Sequence, residues 1–295
     1  MHERMAVLSL IAIAGISIRF PALTPSGLSF LVAERDTAQL HRGLECSGKH
    51  FSIKTGRCIV SVHSCGTQED DGLIARIVGE ALVSHVGIDL IADTHNRTMI
   101  VVNEADATLL LERLNPLIIG PHLQFFPQKR VVGTEVLAKN MCRGLRRTGL
   151  NHTGKLVYMQ FDLNAIELER RAIVEASIYK LLGQSGVNVF LIYLSPTSTG
   201  FSIPANSLDW VDQLLFSALT GGELRMVFRR ACTMVSLVGR DYVENPGVLE
   251  HMLKILWANG IEVLQTNDGD RSLSCLVPED QAETAVRSLS QLLAA

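Results

Sequence analysis

Two short loops in the chain have the residue types of a site for a small zwitterion. The first reads Asn245-Pro246-Gly247-Val248, in which asparagine suits a helix cap, proline the first helical position, and glycine a close backbone approach. Unsatisfied N–H groups at the start of a helix attract a carboxylate. On the strand that follows, Glu262 and Gln265 could accept hydrogen bonds from an amino group. The pattern predicts a cradle for an amino acid, although the same residues also suit an ordinary helix cap.

The second loop follows the same logic with different residues. It reads Asp70-Asp71-Gly72-Leu73, and Asp89 lies on the strand after the predicted helix. Two acids beside the helix start would repel a carboxylate unless they turned toward the ammonium group. We therefore favour the loop with Gly247 over the loop with Gly72. A third loop, Asp162-Leu163-Asn164-Ala165, has no glycine, so the sequence does not predict a ligand there.

Other motifs that resemble functional sites lack the residues or the secondary structure that such sites require. The segment Gly149–Lys155 resembles a phosphate-binding loop, but Leu156 replaces the required serine or threonine and a strand follows instead of a helix. His63 lies near Cys58 and Cys65 without a second pair of metal ligands. No Ser-His-Asp or paired-carboxylate spacing is present. The sequence predicts no catalytic residue, no metal and no cofactor.

The elements that must position these loops form an internal repeat. A four-residue signature follows an apolar, helix-like stretch four times, with the longest interval between the second and third copies. A glycine in the left-handed conformation would end each helix, and a strand would follow directly. A second strand and an acid-rich helix start come next, as suits the positive end of a helix. The signatures are Gly15-Ile16-Ser17-Ile18, Gly87-Ile88-Asp89-Leu90, Gly186-Val187-Asn188-Val189 and Gly260-Ile261-Glu262-Val263.

Three of the four copies are preceded by another predicted strand, which gives the β-α-β-β-α-β order of a ferredoxin-like unit. The predicted fold is α+β, with four such units arranged as two tandem pairs. The first copy lacks a leading strand and the last copy ends at its helix, so residues 122–126, residues 51–54 or a partner chain must cover the open sheet edges. The predicted domains are a first pair at 1–115 (units 1–55 and 56–115), a basic connector at 116–154, and a second pair at 155–295 (units 155–230 and 231–295).

Composition narrows the class of protein. Hydrophobic residues make up 47% and charged residues 19%, which excludes a disordered chain. A formal net charge of −3 makes nucleic acid an unlikely partner, and the basic connector is best explained as a solvated helix face. The six cysteines form no C-x-x-C pair, as expected of reduced thiols in the cytoplasm. The apolar stretch 5–18 is shorter than a membrane span and predicts a buried helix and strand.

Near its end, the sequence resembles the ACT domain family. The resemblance rests on Val235-Ser236-Leu237-Val238-Gly239, on Asn245-Pro246-Gly247-Val248, on Gly260-Ile261-Glu262-Val263 and on the stretch Cys275–Glu283. The sequence is most similar to the tandem ACT regulatory region of aspartokinases. The resemblance is also good for residues 58–114 and is weaker in the other two copies. The resemblance implies an amino acid as effector, allosteric regulation and a homodimer formed through ACT units.

These observations lead to a functional expectation with two alternatives. We expect a non-catalytic regulatory protein that binds an amino acid and modulates an enzyme or partner, because no kinase phosphate signature is recognisable and the repeats fill the chain. One alternative is an aspartokinase homologue or regulatory subunit. The other is a protein-interaction module that has lost its ligand, which the uneven loops of the first and third copies would suit.

Overall fold

The computed structural model describes residues 2–24, 27–48, 50–63, 72–94, 97–118, 149–218, 224–239, 247–269 and 272–294. Within these ranges the order helix, strand, strand, helix recurs four times. The elements are α1 (His2–Ile13), β1 (Ile18–Thr24), β2 (Gly27–Val32) and α2 (Thr37–Cys46); β3 (Arg57–His63), α3 (Leu73–Val83), β4 (Ile88–Thr94), β5 (Arg97–Asn103) and α4 (Ala107–Leu114); β6 (Gly149–Asp162), α5 (Leu168–Gln184), β7 (Phe190–Ser195), β8 (Ser198–Pro204) and α6 (Leu208–Ala218); β9 (Arg225–Val238), α7 (Val248–Ala258), β10 (Gln265–Gly269), β11 (Ser272–Pro278) and α8 (Glu279–Ala294).

The leading helix of each repeat ends in the same way. Two residues after the helix, Gly15, His85, Gly186 and Gly260 adopt φ values of 66°, 58°, 66° and 70°. The N–H of the next residue then donates to a carbonyl five positions earlier, as in Ile16 to Ile11 and Ile261 to Leu256. This is the glycine stop expected of three copies. In the second copy the expectation was wrong, because His85 and not Gly87 takes the left-handed position.

The described residues form two compact units. The first comprises the described residues within 2–55, 149–154 and 233–294, and so joins the first repeat to the fourth. In it, β1 pairs with β2, and β10 and β11 follow the later part of β9 in one sheet. α1 and α7 share a core in which Met5 and Leu8 meet Leu249, Met252 and Leu256.

The second unit comprises the described residues within 56–118 and 155–232, and so joins the second repeat to the third. Its strands run in the orders β3-β5-β4 and β7-β8-β6, followed by the first part of β9. The helices α3 and α5 cross on a core that includes Ile77, Val78, Ile178 and Leu182. None of the helices in the described ranges combines the length and apolar character needed to span a bilayer.

This grouping differs from the consecutive pairs 1–115 and 155–295 that the sequence led us to expect. A repeat shows which segments are alike, whereas packing depends on which sheet edges and helix faces fit together. In the first unit β1 lies beside β10, where the N–H groups of Phe20 and Leu23 donate to Asp268 Oδ2 and Thr266 Oγ1, both at 3.0 Å. Residues 119–148 of the predicted connector lie outside the described residues.

The missing strand of the fourth repeat is also accounted for within the first unit. β6 is the neighbour of β9 on the side away from β11. A Cβ at Gly154 would lie 3.6 Å from Thr233 Oγ1, so residues 149–154 run beside the start of this repeat's leading strand. Of the segments that the sequence proposed for the open edges, residues 122–126 lie outside the described residues.

Candidate functional site

A small cleft lies in the first unit, where the start of α7 meets α1. It encloses about 30 Å³, which is room for only one or two water molecules. Both repeats of the unit contribute to its wall, so a ligand held there would touch both of them. The lining residues are Leu8, Ile11, Ile18, Pro21, Gly247, Val248, Leu249, Glu250, Asp268 and Leu273.

The start of α7 supplies hydrogen-bond donors to this cleft. Gly247 is the N-cap residue, with φ of 89°, and its carbonyl accepts the N–H of His251 at 2.8 Å. The first N–H groups of a helix have no acceptor within the helix, and the helix dipole adds partial positive charge there. The geometry is therefore suited to a carboxylate. A Cβ at Gly247 would lie 3.1 Å from Ala12 Cβ, so the predicted tight approach at this glycine is made to α1.

Asp268 is an acidic residue in the lining of the cleft. Its side chain lies on β10 and the residue is only 8% exposed. Oδ2 accepts the N–H of Phe20 at 3.0 Å, in a bulge of β1 where Phe20 has φ of 54°. A carboxylate can accept several hydrogen bonds, so Asp268 can hold the bulge and also line the cleft.

Glu250 is a second acid in the wall of the cleft, but its carboxylate already has partners. Its carboxylate accepts from the hydroxyl of Ser9 and pairs with Lys254 Nζ at 2.5 Å. Burial by itself would raise the pKa of Glu250, but the bonds from Lys254 and Ser9 and the nearby charges of Lys254 and His251 lower it below its usual range. Glu250 is thus an ionised acid at the helix start, where negative charge is favoured.

The structure brings only part of the predicted set together. Gly247 and Val248 line the cleft, whereas Asn245 and Pro246 lie outside the described residues. Glu262 is exposed and its N–H donates to Gln281 Oε1 at 2.8 Å, and Gln265 is fully buried. Neither of these two side chains lines the cleft.

Asp268 and Glu250 were missed by the sequence reasoning. For Asp268 a signal was present, because the run Gln265-Thr266-Asn267-Asp268 is polar although it follows an apolar stretch. All four residues are buried. A polar run on a buried strand requires partners, and such a requirement points to a site or to a neighbouring strand.

In the second unit, the corresponding helix start at Gly72 is covered by neighbouring backbone. Gly72 caps α3 with φ of 84°, but a Cβ there would lie 3.0 Å from the carbonyl oxygen of Gly183 and 3.1 Å from Gly186 Cα. Backbone of the third repeat therefore covers this helix start. Asp89 pairs with Arg57 Nε at 2.5 Å, and Asp71 lies outside the described residues.

Glycines explain why the two helix starts differ. In the second unit, a Cβ at Gly79 would lie 3.0 Å from Lys180 N, and one at Gly183 would lie 2.9 Å from Arg76 N. Small residues on both helices thus let α3 and α5 approach to backbone contact. In the first unit a Cβ at Gly247 would meet the side chain of Ala12 at 3.1 Å, so α1 approaches this helix start through a side chain and not through backbone.

A buried carboxyl group lies elsewhere in the second unit. Glu175 of α5 is 9% exposed, and its Oε1 has no hydrogen-bond partner among the described residues. Beside it the hydroxyls of Tyr179 and Thr199 are 2.8 Å apart, and Thr199 donates to the carbonyl of Tyr193 at 3.1 Å. Burial raises the pKa of Glu175 from 4.5 to about 7, and a hydrogen bond with Thr199 limits the rise.

Comparison with known proteins identifies the class of the fourth repeat. Residues 235–293 match the family model of the ACT domain. Aspartokinase from Geobacillus stearothermophilus is 27% identical over 134 residues, which cover 44% of this chain and 32% of that protein. Aspartokinase from Bacillus sp. (strain MGA3) is 29% identical over 122 residues, which cover 39% and 30%.

A solved structure matches almost the whole chain. Aspartate kinase from Synechocystis superposes with a TM-score of 0.77 at 15% identity, and the match covers 97% of this chain and 51% of that chain. At this identity the likeness shows a shared fold. The chain spans about half of the Synechocystis enzyme, and its matches cover less than a third of either Bacillus-type relative.

These findings correct the functional expectation. A non-catalytic regulatory protein that modulates an enzyme or partner was expected from the sequence, but the curated relatives and the matching structure are aspartokinases. The alternative of an aspartokinase homologue, or of its regulatory part, fits better. The resemblance to the ACT regulatory region of aspartokinases is confirmed.

Proposed function

We propose that this chain is an aspartokinase homologue and that its described residues form the amino-acid-sensing part of that enzyme. The ACT domain at 235–293 and the fold shared with Synechocystis aspartate kinase support the assignment. The other three helix–strand–strand–helix segments are ACT-type units as well, since each repeats the element order and two further copies end their leading helix on a left-handed glycine.

The observation that carries the effector part of the proposal is the cleft at the start of α7. Its lining includes Gly247 and Val248 at the start of the helix, and also the acidic residue Asp268. These are the two partners that the carboxylate and ammonium groups of one amino acid require. Because the cleft encloses about 30 Å³, the ligand must widen it and so favour one arrangement of α1 against α7. A ligand that binds one arrangement better shifts the population toward it, which is the basis of allosteric control.

The site is tested by a thermal-shift screen of the twenty amino acids, followed by calorimetry on each hit. We expect at least one amino acid to stabilise the protein. Val248→Phe places a ring in the cleft and should abolish the effect. The matched control is Leu168→Phe, since Leu168 is likewise the first residue of its helix and is 75% exposed. Unchanged binding by Val248→Phe would move the site elsewhere.

The acidic wall is tested separately. Asp268→Asn keeps an oxygen for the N–H of Phe20 and removes the charge that the ammonium group needs. We expect a loss of affinity of about tenfold or more, as is usual for a charged hydrogen bond, with little change in unfolding. Asp209→Asn, at the exposed start of α6, is the control. Equal affinity in Asp268→Asn and wild type would remove Asp268 from the site.

The activity proposed for the whole protein is that of its relatives, the phosphorylation of aspartate by ATP. We expect aspartate-dependent release of ADP, and we expect the amino acid that binds to change its rate. We also propose a homodimer, to be checked by light scattering. A reducing compartment such as the cytoplasm suits the free thiols at Cys46, Cys58, Cys232 and Cys275. Ligand binding without aspartate-dependent turnover would support the sensing site and refute the enzymatic assignment.

A further inference from the structure

The lining of the cleft at the start of α7 is almost entirely apolar. Apart from Gly247, Glu250 and Asp268, every residue in it has an aliphatic side chain or a proline ring. Among the described residues that form this lining, none has a side-chain hydroxyl, an amide or an aromatic ring. Most of the surface of a ligand that enters the cleft must therefore contact hydrocarbon.

The cleft lies where two hydrophobic clusters of the first unit meet. Leu8, Leu249 and Leu273 belong to the cluster that α1 shares with α7, and they are 2%, 5% and 3% exposed. Ile11 belongs to the cluster that α1 forms with α2. Ile18 of β1 packs against both clusters. A side chain inserted into the cleft would therefore be surrounded by the cores of both clusters.

The two acids of the lining limit which charged side chains the cleft accepts. Glu250 pairs with Lys254 Nζ at 2.5 Å, so its charge is already balanced. Asp268 accepts the N–H of Phe20, and in the proposed binding mode it also holds the α-ammonium group of the ligand. A lysine ligand would bring a second ammonium group that no further acid of the lining balances. An acidic ligand side chain would be repelled by both carboxylates.

We propose that the amino acid bound at this cleft has a small aliphatic side chain, of the valine, leucine and isoleucine class, and that Val248 selects it. The inference rests on the proposed sensing site and adds the chemical class of its ligand. Val248 and Ile18 are the half-buried aliphatic residues of the lining, so a ligand can contact them without displacing the core. Because the cleft encloses only about 30 Å³, a branched aliphatic group requires less widening than an aromatic ring.

Two pairs of ligands separate an aliphatic preference from the alternatives. Valine and threonine have the same shape, but the threonine hydroxyl finds no side-chain partner in the lining. We expect valine to bind about tenfold more tightly or better. Norleucine matches lysine up to Cε and lacks its ammonium group, so we expect a preference of the same size for norleucine.

The test is isothermal titration calorimetry of the full chain with alanine, valine, leucine, isoleucine, threonine, norleucine and lysine. Each methylene group buried in an apolar site strengthens binding by roughly fourfold, so affinity should rise from alanine to valine and leucine. Val248→Thr keeps the shape of the wall and adds a hydroxyl, so we expect the valine-to-threonine affinity ratio to fall by roughly tenfold. The matched control is Val83→Thr on α3, where the residue is 49% exposed, and it should keep the wild-type ratio.

The outcomes distinguish this inference from the sensing site on which it rests. Threonine binding as tightly as valine, or lysine as tightly as norleucine, would overturn the aliphatic preference. If Val248→Phe abolished that binding, the sensing site would still stand. An unchanged valine-to-threonine ratio in Val248→Thr, with the variant folded by circular dichroism, would refute the selecting role of Val248. Absence of binding by every amino acid would overturn both the sensing site and its aliphatic selectivity.

Discussion

Replacing the buried Glu175 by glutamine should make the protein more stable at neutral and alkaline pH. Its carboxyl group titrates near 4.5 when the chain is unfolded and near 7 when it is buried in the second unit. Below pH 4.5 both states hold the proton, and the group costs nothing. Between these two values the unfolded state ionises while the folded state does not, so stability falls as the pH rises. Above pH 7 both states are ionised and the penalty stays constant.

The size of the penalty follows from the two pKa values. At 1.36 kcal/mol for each pKa unit, the gap between 4.5 and about 7 corresponds to about 3 kcal/mol. Glu175→Gln removes the charge and keeps the shape. The amide must itself find partners near Thr199 and Tyr179, so we expect a net gain of about 1–3 kcal/mol at pH 8 and no gain below pH 4.5.

The assay is urea unfolding of the full chain at half-unit intervals from pH 4 to pH 8, with a probe that reports the second unit. Wild type should lose stability across this range relative to Glu175→Gln. The control is Glu169→Gln on the first turn of the same helix, where the side chain is exposed, and it should follow the wild-type profile. Parallel profiles for wild type and Glu175→Gln, or a less stable Glu175→Gln at pH 8, would refute the reasoning.

Two further predictions concern backbone geometry. His85→Gly should stabilise the protein by about 0.5–1 kcal/mol, measured by urea unfolding. The reason is that His85 holds a left-handed φ of 58° where the other three repeats have glycine. A destabilised variant would show that the His85 side chain makes a contact that outweighs the backbone strain. Gly183→Ala should destabilise the protein by about 1–3 kcal/mol, because the added Cβ would lie 2.9 Å from Arg76 N and push α3 away from α5. The control is Gly87→Ala, where an added Cβ has no atom within 4 Å. Equal effects of the two substitutions would disprove the close crossing of the helices.

Local sequence signals determined the elements of this protein and their order. The helices are apolar on one face, and a glycine ends three of the four leading helices, because only glycine adopts a left-handed φ without cost. At the second copy this rule misled us. Glycine is preferred at such a position but is not required, and His85 occupies it two residues before Gly87.

The loops that could do chemistry were also recognisable in part. Gly247 and Val248 do line a cleft, because a helix start exposes donors whatever the rest of the fold does. The residue proposed to bind the ammonium group, Asp268, was not recognisable from the sequence. Glu262 and Gln265 were nearer in sequence to the helix, but Asp268 faces the cleft since a bulge in the distant strand β1 brings Phe20 against it.

Only the tertiary structure decided which repeats share a core and which helix start stays open. Repeats of similar pattern could pair in several ways, and the choice depends on side chains that meet across long stretches of chain. Glycines at 79 and 183 let α3 and α5 approach to backbone contact, and backbone of the third repeat covers Gly72, whereas a side chain of α1 meets Gly247. Whether a helix start is met by backbone or by a side chain depends on residues of another repeat, which no local pattern in the sequence encodes.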